Sequence, residues 1–281
     1  MGLLPPRAPG RGEGDHAVAQ PGGCNVVFTR VCRRRASVQG TRVELHFHLL
    51  PDVDDGPQTL GEALALARLA VADGTGLVTC TPHVHLVDVS SLPERVAVLA
   101  AALRAARIAL QVTPGGEIRP GTRPTDAELE ILAHGPPGRR WVLLEAPLGA
   151  ESLDAFHADA DDLQARGYGL LIAHPERCAA LLAAGGGLED RLRRGARLQV
   201  NASSLTGAHG ARTREAGFEL VARGLVTAIA SDAHGVQRPP LLTAALCALA
   251  ARRIDGAALA ADGPRRLLRD GIAALRDRPA A

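Results

Sequence analysis

From Val43 onward, short apolar runs alternate with stretches whose apolar positions recur every three or four residues. The runs at 43–48, 77–82, 110–117, 141–146, 169–174, 197–202 and 226–231 are bounded by turn residues and predict strands. The stretches at 60–72, 92–107, 126–133, 153–166, 187–194, 211–223 and 239–253 predict amphipathic helices, the second opened by a capping box at Ser91 and Glu94. One more helix is expected over 264–276. Strict alternation of strand and helix implies a parallel sheet covered by helices, and seven such units point to an α/β barrel rather than an open sheet.

Composition narrows what this barrel can do. With 281 residues and 46% hydrophobic content the chain can fill one large core. Only 2% of residues are aromatic, so that core is built from Ala, Leu, Val and Ile, and no interleaving of basic and aromatic residues suggests stacking on bases. The net charge of +2 is misleading, because residues 1–42 carry seven arginines against Glu13 and Asp15. The remaining chain is net acidic, which argues against a nucleic-acid surface. Residues 1–41 are rich in Pro, Gly and Arg without periodicity and are expected to be a disordered extension or a misassigned start, with the domain proper at 42–281. Cys24 and Arg30 match the spacing of cysteine-dependent phosphatases, but the segment between them has no glycine to cradle a phosphate. Five irregularly spaced cysteines and no membrane-spanning or signal-like apolar run suggest a reduced, cytoplasmic protein without membrane insertion.

The candidate chemistry lies at the strand ends. His46 and His48 close the first predicted strand, His83 follows the second, Glu117 and Glu145 end the third and fourth, His174 the fifth, and Asp232 with His234 the seventh. In parallel barrels, active sites assemble on the face where these ends converge. A single His or Glu there is ordinarily a cap or loop residue, but six strands repeating the pattern call for a common cause. Gathering carboxylates and imidazoles together is costly without cations, and bound metals reverse that cost. Alternation places Glu44, His46 and His48 on one strand face, and Asp55 adds a further carboxylate. Mixed nitrogen and oxygen donors suit Mn, Fe or Zn. His85 stands near the site in sequence, while His16, His134, His157 and His209 fall in tail, helix or loop contexts, with His157 expected to be solvated. Ser203, Ser204 and Thr206 lack a serine-hydrolase elbow and are expected to form a turn or phosphate-binding loop.

His46-x-His48, the run Leu49 to Gly56, Thr81-Pro82-His83, Gly116-Glu117-Ile118, Leu144-Glu145, Ala173-His174-Pro175-Glu176-Arg177, Ser204-Leu205-Thr206-Gly207 and Ser231-Asp232-Ala233-His234 occur in that order. The set resembles the CpsB/CapC-type bacterial tyrosine-protein phosphatases of the PHP superfamily, from about Val43 to beyond Arg238. The resemblance implies a distorted TIM-like (β/α)7 barrel of the PHP type with two to three ions, usually manganese or iron. It implies one ion on His46, His48, Glu117 and Asp232, a second on Glu117, Glu145 and His174, and a third on Asp55, His83 and His234. Arg177 and Arg238 resemble the arginines that clamp the substrate phosphate. Two positions depart from the pattern: Glu44 replaces the usual Asp, and Phe47 replaces the usual small residue between the histidines. The first motif usually opens the chain in this family, which makes Val43 a candidate start.

The implied reaction is in-line attack on phosphorus by a metal-activated hydroxide, with no protein nucleophile. The implied substrate is a phosphotyrosine protein, in particular a bacterial tyrosine kinase in capsule or exopolysaccharide control. The same centre also suits a small-molecule phosphatase such as a histidinol phosphatase, or a catalytically silent metal-binding regulator, and homo-oligomerisation is left open.

Overall fold

The computed structural model describes residues 42–273. The expectations for residues 1–41, including the Cys24–Arg30 spacing, lie outside the described residues, as does the end of the 264–276 helix. Among the described residues there are eight strands: β1 Arg42–Phe47, β2 Thr75–Cys80, β3 Gln111–Pro114, β4 Glu117–Ile118, β5 Trp141–Glu145, β6 Gly169–Ala173, β7 Arg197–Asn201 and β8 Val226–Ala230. The longer helices follow the predicted stretches: α1 Leu60–Ala72, α2 Leu92–Ala105, α3 Asp126–Leu132 and α4 Leu153–Ala165. A single turn α5 at Ala179–Leu182, then α6 at Leu188–Arg193, a second short helix α7 at Ala202–Thr206, and α8 at Ala211–Ala222 come next. The described part ends with α9 Leu242–Ala251 and α10 Asp262–Asp270. None of these helices is long and apolar enough to cross a membrane.

All paired strands are parallel, in one sheet of order β1-β2-β3 and another of order β4-β5-β6-β7-β8. The predicted strand 110–117 is therefore two strands. The break falls at Gly115 and Gly116, where side chains would collide with Thr79 and His134, and with Leu132 and Val84. Only glycine allows the chain to step sideways there and deliver Glu117. Single parallel bridges, His83 to Glu117 and Phe47 to Ala233, join the sheets. Among the described residues no continuous ladder closes the barrel; the joins sit at the carboxyl ends of the strands.

Side chains alternate between two cores. Val43, Leu45, Trp141, Leu143, Leu171, Ala173 and Ala228 pack inside, while Val142, Leu144, Leu170, Ile172, Leu198 and Val200 face the helices. Leu267 of α10 closes the amino end of the barrel, and its carbonyl accepts the Trp141 indole N–H at 2.9 Å. Burying a large apolar side chain of this kind contributes about 1.5–3 kcal/mol.

Two local expectations are corrected. Ser91 forms no capping box, because a 3-10 turn at Val89–Ser91 leads straight into α2 and leaves Ser91 helical; its hydroxyl donates to the Asp88 carbonyl instead. The capping box forms at Thr125 and Glu128, opening α3. Ser203, Ser204 and Thr206 lie in the short helix α7 rather than in a loop.

Candidate metal centre

The ends of β1, β2, β4, β5, β6 and β8 each deliver one or two ligand-type side chains into the same space. All nine predicted ligands fall into four overlapping groups, within each of which the donor atoms lie no more than 4.8 Å apart. These are His48, Asp55, His83 and His234; His46, Glu117 and His174; His46, His48 and Asp232; and His83, Glu117 and Glu145. Glu117 is the hub. Its Oε1 lies 3.0 Å from His174 Nε2 and 3.3 Å from His46 Nε2, and its Oε2 lies 3.0 Å from His83 Nδ1 and 3.5 Å from His48 Nε2. Glu145 and His174 each meet Glu117 but do not share a group with one another. Asp55 is exposed and His83 half-buried, so the centre opens to solvent on their side.

Two of these residues sit on strained backbone. His174 (φ 35°) and Asp232 (φ 52°) adopt the left-handed region without being glycine, at a cost of order 1–3 kcal/mol each. Both are pinned by backbone bonds: the His174 N–H donates to the Gln199 carbonyl at 2.8 Å and the Asp232 N–H to the His46 carbonyl at 3.1 Å. The left-handed turn at His174 starts the 3-10 segment Pro175–Arg177 and so aims Arg177 back at the centre. Arg177 Nη1 stands 3.7 Å from Asp232 Oδ2, while Arg238 reaches Asp55 Oδ2 and Asp232 Oδ2, each at 3.2 Å.

Charge is finely balanced in this space. Burial opposes a protonated His48, but hydrogen bonds to Asp54 and Glu117 outweigh it and push its pKa up to about 10. Burial, with His48 beside it, drives His234 down to about 3. Burial also opposes ionisation of Glu117, yet His46 and His174 hold its carboxyl well below the usual range. Glu145 is raised by burial and by the charge of Glu117. Protons on imidazoles thus stand where cations would. Buried Glu117 Oε2, His83 Nδ1 and His234 Nε2 have no hydrogen-bond partner of acceptable geometry, although all three face other donor atoms of the cluster. Convergent, unsatisfied donor atoms of N and O type fit divalent cations, whose binding would release those protons.

Sequence reasoning missed several residues that complete the centre. Asp54 stands behind His48: its Oδ2 lies 2.6 Å from His48 Nδ1 and also accepts the His83 N–H at 3.1 Å, while Asp55 joins His48, His83 and His234 in one donor group. The run Asp52-Val53-Asp54-Asp55 held the signal, but spacing alone could not choose among three acids. Glu44 is not aligned with the histidines as alternation required. The β1 register shifts between Glu44 and Phe47, Val43 and Leu45 both enter the inner core, and the Glu44 carboxylate accepts the Ser231 N–H at 2.7 Å. His85 is exposed and outside the four groups, its ring 5.6 Å from that of His83. His157, expected to be solvated, instead accepts from Arg191 Nε at 3.2 Å and sits 3.0 Å from the Gly186 carbonyl.

The sequence profile of the family described as capsular polysaccharide synthesis, CpsB/CapC, matches residues 42–262. Tyrosine-protein phosphatase YwqE of Bacillus subtilis is 32% identical over 206 residues, covering 69% of this chain and 78% of YwqE. CapC of Staphylococcus aureus is 30% identical over 208 residues, covering 71% and 80%. A solved structure from the pair YwqE of Bacillus subtilis and CpsB of Streptococcus pneumoniae, metal-dependent tyrosine phosphatases, superposes with a TM-score of 0.65 at 25% identity, over 85% of this chain and all of the other. The phosphotriesterase homology protein of Escherichia coli shares the fold, with a TM-score of 0.54 at 13% identity over 82% of this chain and 99% of that one.

Proposed function

Because the chain belongs to the capsular polysaccharide synthesis CpsB/CapC family, we propose that it is a metal-dependent phosphatase acting on phosphotyrosine in proteins. The observation that carries this reading is the convergence of nine ligand-type side chains on one opening, with buried donor atoms left unsatisfied. His46, His48, Asp55, His83, Glu117, Glu145, His174, Asp232 and His234 would hold two to three ions, manganese being the first to test. Bound divalent cations supply Lewis acidity, lowering the pKa of water and offsetting negative charge on phosphoryl oxygens.

The protein's own groups do the rest. Arg177 and Arg238 are forked donors at the rim, half-buried and exposed respectively, and a phosphate dianion would compete for them with Asp232 and Asp55. Neither needs to move far, since both already point at carboxylates of the centre. The strained turn at His174 and Pro175 fixes Arg177, so its charge is in place before the transition state forms. A tyrosine leaving group has a pKa of about 10 and can depart without a dedicated protein acid, whereas an alkoxide such as that of histidinol needs one. That difference favours aryl phosphates. The natural substrate we propose is a bacterial tyrosine kinase in capsule or exopolysaccharide control, in the cytoplasm.

The test compares Mn2+-loaded protein on a phosphotyrosyl peptide and on histidinol phosphate, with His46→Ala and Glu117→Ala alongside. Turnover of the peptide, lost in both variants, is expected. Preference for histidinol phosphate, or full activity in both variants, would overturn the proposal.

A further inference from the structure

Of the seven predicted strands, 197–202 is the one from which no ligand was predicted, yet as β7 it places two polar side chains inside the barrel. Gln199 and Asn201 are fully buried and alternate with Leu198 and Val200, which face the outer core. They form an unbroken relay between two residues of the metal centre. His46 Nδ1 lies 3.0 Å from Gln199 Oε1, Gln199 Nε2 donates to Asn201 Oδ1 at 2.8 Å, and Asn201 Nδ2 donates to Asp232 Oδ2 at 2.8 Å. The Asn201 backbone N–H donates to Glu176 Oε1 at 2.9 Å, tying the relay to the turn that carries Arg177.

The direction of this relay is dictated from its acidic end. An ionised carboxylate only accepts, so Asn201 must turn its NH2 to Asp232 and its carbonyl to Gln199. Gln199 must then donate to that carbonyl, which leaves its own Oε1 facing His46. A carbonyl only accepts as well, so His46 must carry its proton on Nδ1. In the neutral ring the lone pair is then on Nε2, the atom 3.3 Å from Glu117 Oε1 and 3.4 Å from Asp232 Oδ1. A lone pair facing two carboxylate oxygens is repulsive unless a cation sits among them.

We infer that Gln199 and Asn201 are positioning residues that fix the tautomer of His46 and the rotamer of Asp232, so that both present lone pairs to one cation. The inference rests on the metal-centre reading above. Neither amide touches substrate or ion, and the two act as a unit because breaking either link frees the orientation of the whole relay.

The experiment titrates Mn2+ calorimetrically into the full chain and into Asn201→Leu, Gln199→Met and the double variant, with far-UV circular dichroism checking the fold. Long-range 1H–15N spectra of the Zn2+-loaded protein read the His46 tautomer. Each single variant is expected to weaken the tightest Mn2+ site by about 10–100-fold, the double variant by no more than the worse single one. His46 in the parent protein is expected to be protonated at Nδ1. Asn201→Asp, which sets an acceptor against Asp232, should be as damaging as Asn201→Leu. If Asn201→Leu does not fold, Gln199→Met decides from the other end. A parent protein that binds no Mn2+ sinks the metal centre itself. Tight binding in the parent with variants within threefold of it, or His46 protonated at Nε2, leaves the centre standing and overturns the relay.

Discussion

Glu117→Gln is the most incisive perturbation of this site. The side chain is 1% exposed, and four imidazole nitrogens lie within 3.0–3.5 Å of its two oxygens. Glutamine keeps the shape and removes one charge. A unit charge pair about 4 Å apart is worth about 4 kcal/mol at an effective dielectric of about 20, and removing one partner of a buried pair costs about 3–5 kcal/mol. At about 1.4 kcal/mol per decade this is a loss of two to four orders of magnitude in affinity for a cation held there. Stability of the metal-free fold at pH 8 should fall by less, because imidazoles that lose their carboxylate can release their protons. Calorimetric Mn2+ titration and urea denaturation of chelator-treated protein separate the two effects. Glu145→Gln is the internal control: Glu145 belongs to one donor group where Glu117 belongs to two, so its loss should be the smaller. Mn2+ affinity in Glu117→Gln within threefold of the parent, or a larger loss in Glu145→Gln, would refute Glu117 as the shared ligand.

Three further outcomes are expected. Arg177→Ala should lower kcat/KM on a phosphotyrosyl peptide about 100-fold, with Arg177→Lys recovering only part, while Mn2+ affinity stays unchanged; steady-state kinetics beside calorimetry checks both. His134 is pushed down to about 4 by burial and then by Arg140, with its ring 4.9 Å from that of Trp141. A depressed folded pKa means that its contribution is present above pH ~6.5 and lost as pH falls toward 4, up to about 3 kcal/mol. His134→Phe should therefore flatten the fall in urea stability between pH 7 and 4.5, and a pH-independent offset from the parent would count against it. Glu44→Asp withdraws the acceptor from the buried Ser231 N–H and should cost about 1–3 kcal/mol, whereas Glu44→Gln, which keeps the acceptor, should cost less; thermal unfolding of the two variants decides.

The alternation of strand and helix was legible because each strand is an apolar run and each helix an amphipathic one, and both periods survive in a core built almost wholly of aliphatic residues. The ligands were legible for a related reason: charged or imidazole side chains closing apolar strands stand out. Other features were not. The step between β3 and β4 is a two-glycine crossing whose meaning comes from Thr79, Leu132 and Val84, residues distant in sequence. Gln199 and Asn201 carried a weak signal, two amides alternating with Leu198 and Val200, but neutral amides in a strand end are common and do not announce what they bond. Glu44 misled because alternation assumes an unbroken strand, and β1 has a register shift. Read by period, the longer acid shares a face with the histidines. In space its extra methylene spans to Ser231, next to Asp232.

The distortion of the barrel and the chemistry of the centre have one cause. Where the two sheets meet, no continuous ladder holds them among the described residues, and the bonds present come from the site itself. The Glu117 N–H donates to the Pro82 carbonyl at 3.0 Å, His48 N–H to Ala233 at 3.0 Å, and Asp232 N–H to His46 at 3.1 Å. Seam and centre therefore close together. A cation gathered by His46, His48, Glu117 and Asp232 would draw both seams shut, adding stability of RT ln(1 + [M]/Kd), about 2.7 kcal/mol at one hundred times Kd. Chelation should then lower the melting temperature and speed amide exchange at His48, Glu117 and Asp232. The amides of Leu143 and Ile172, inside the β4–β8 sheet, should keep their protection. Uniform loosening of the whole sheet, or no change at the seams, would separate the metal centre from barrel closure and defeat this account.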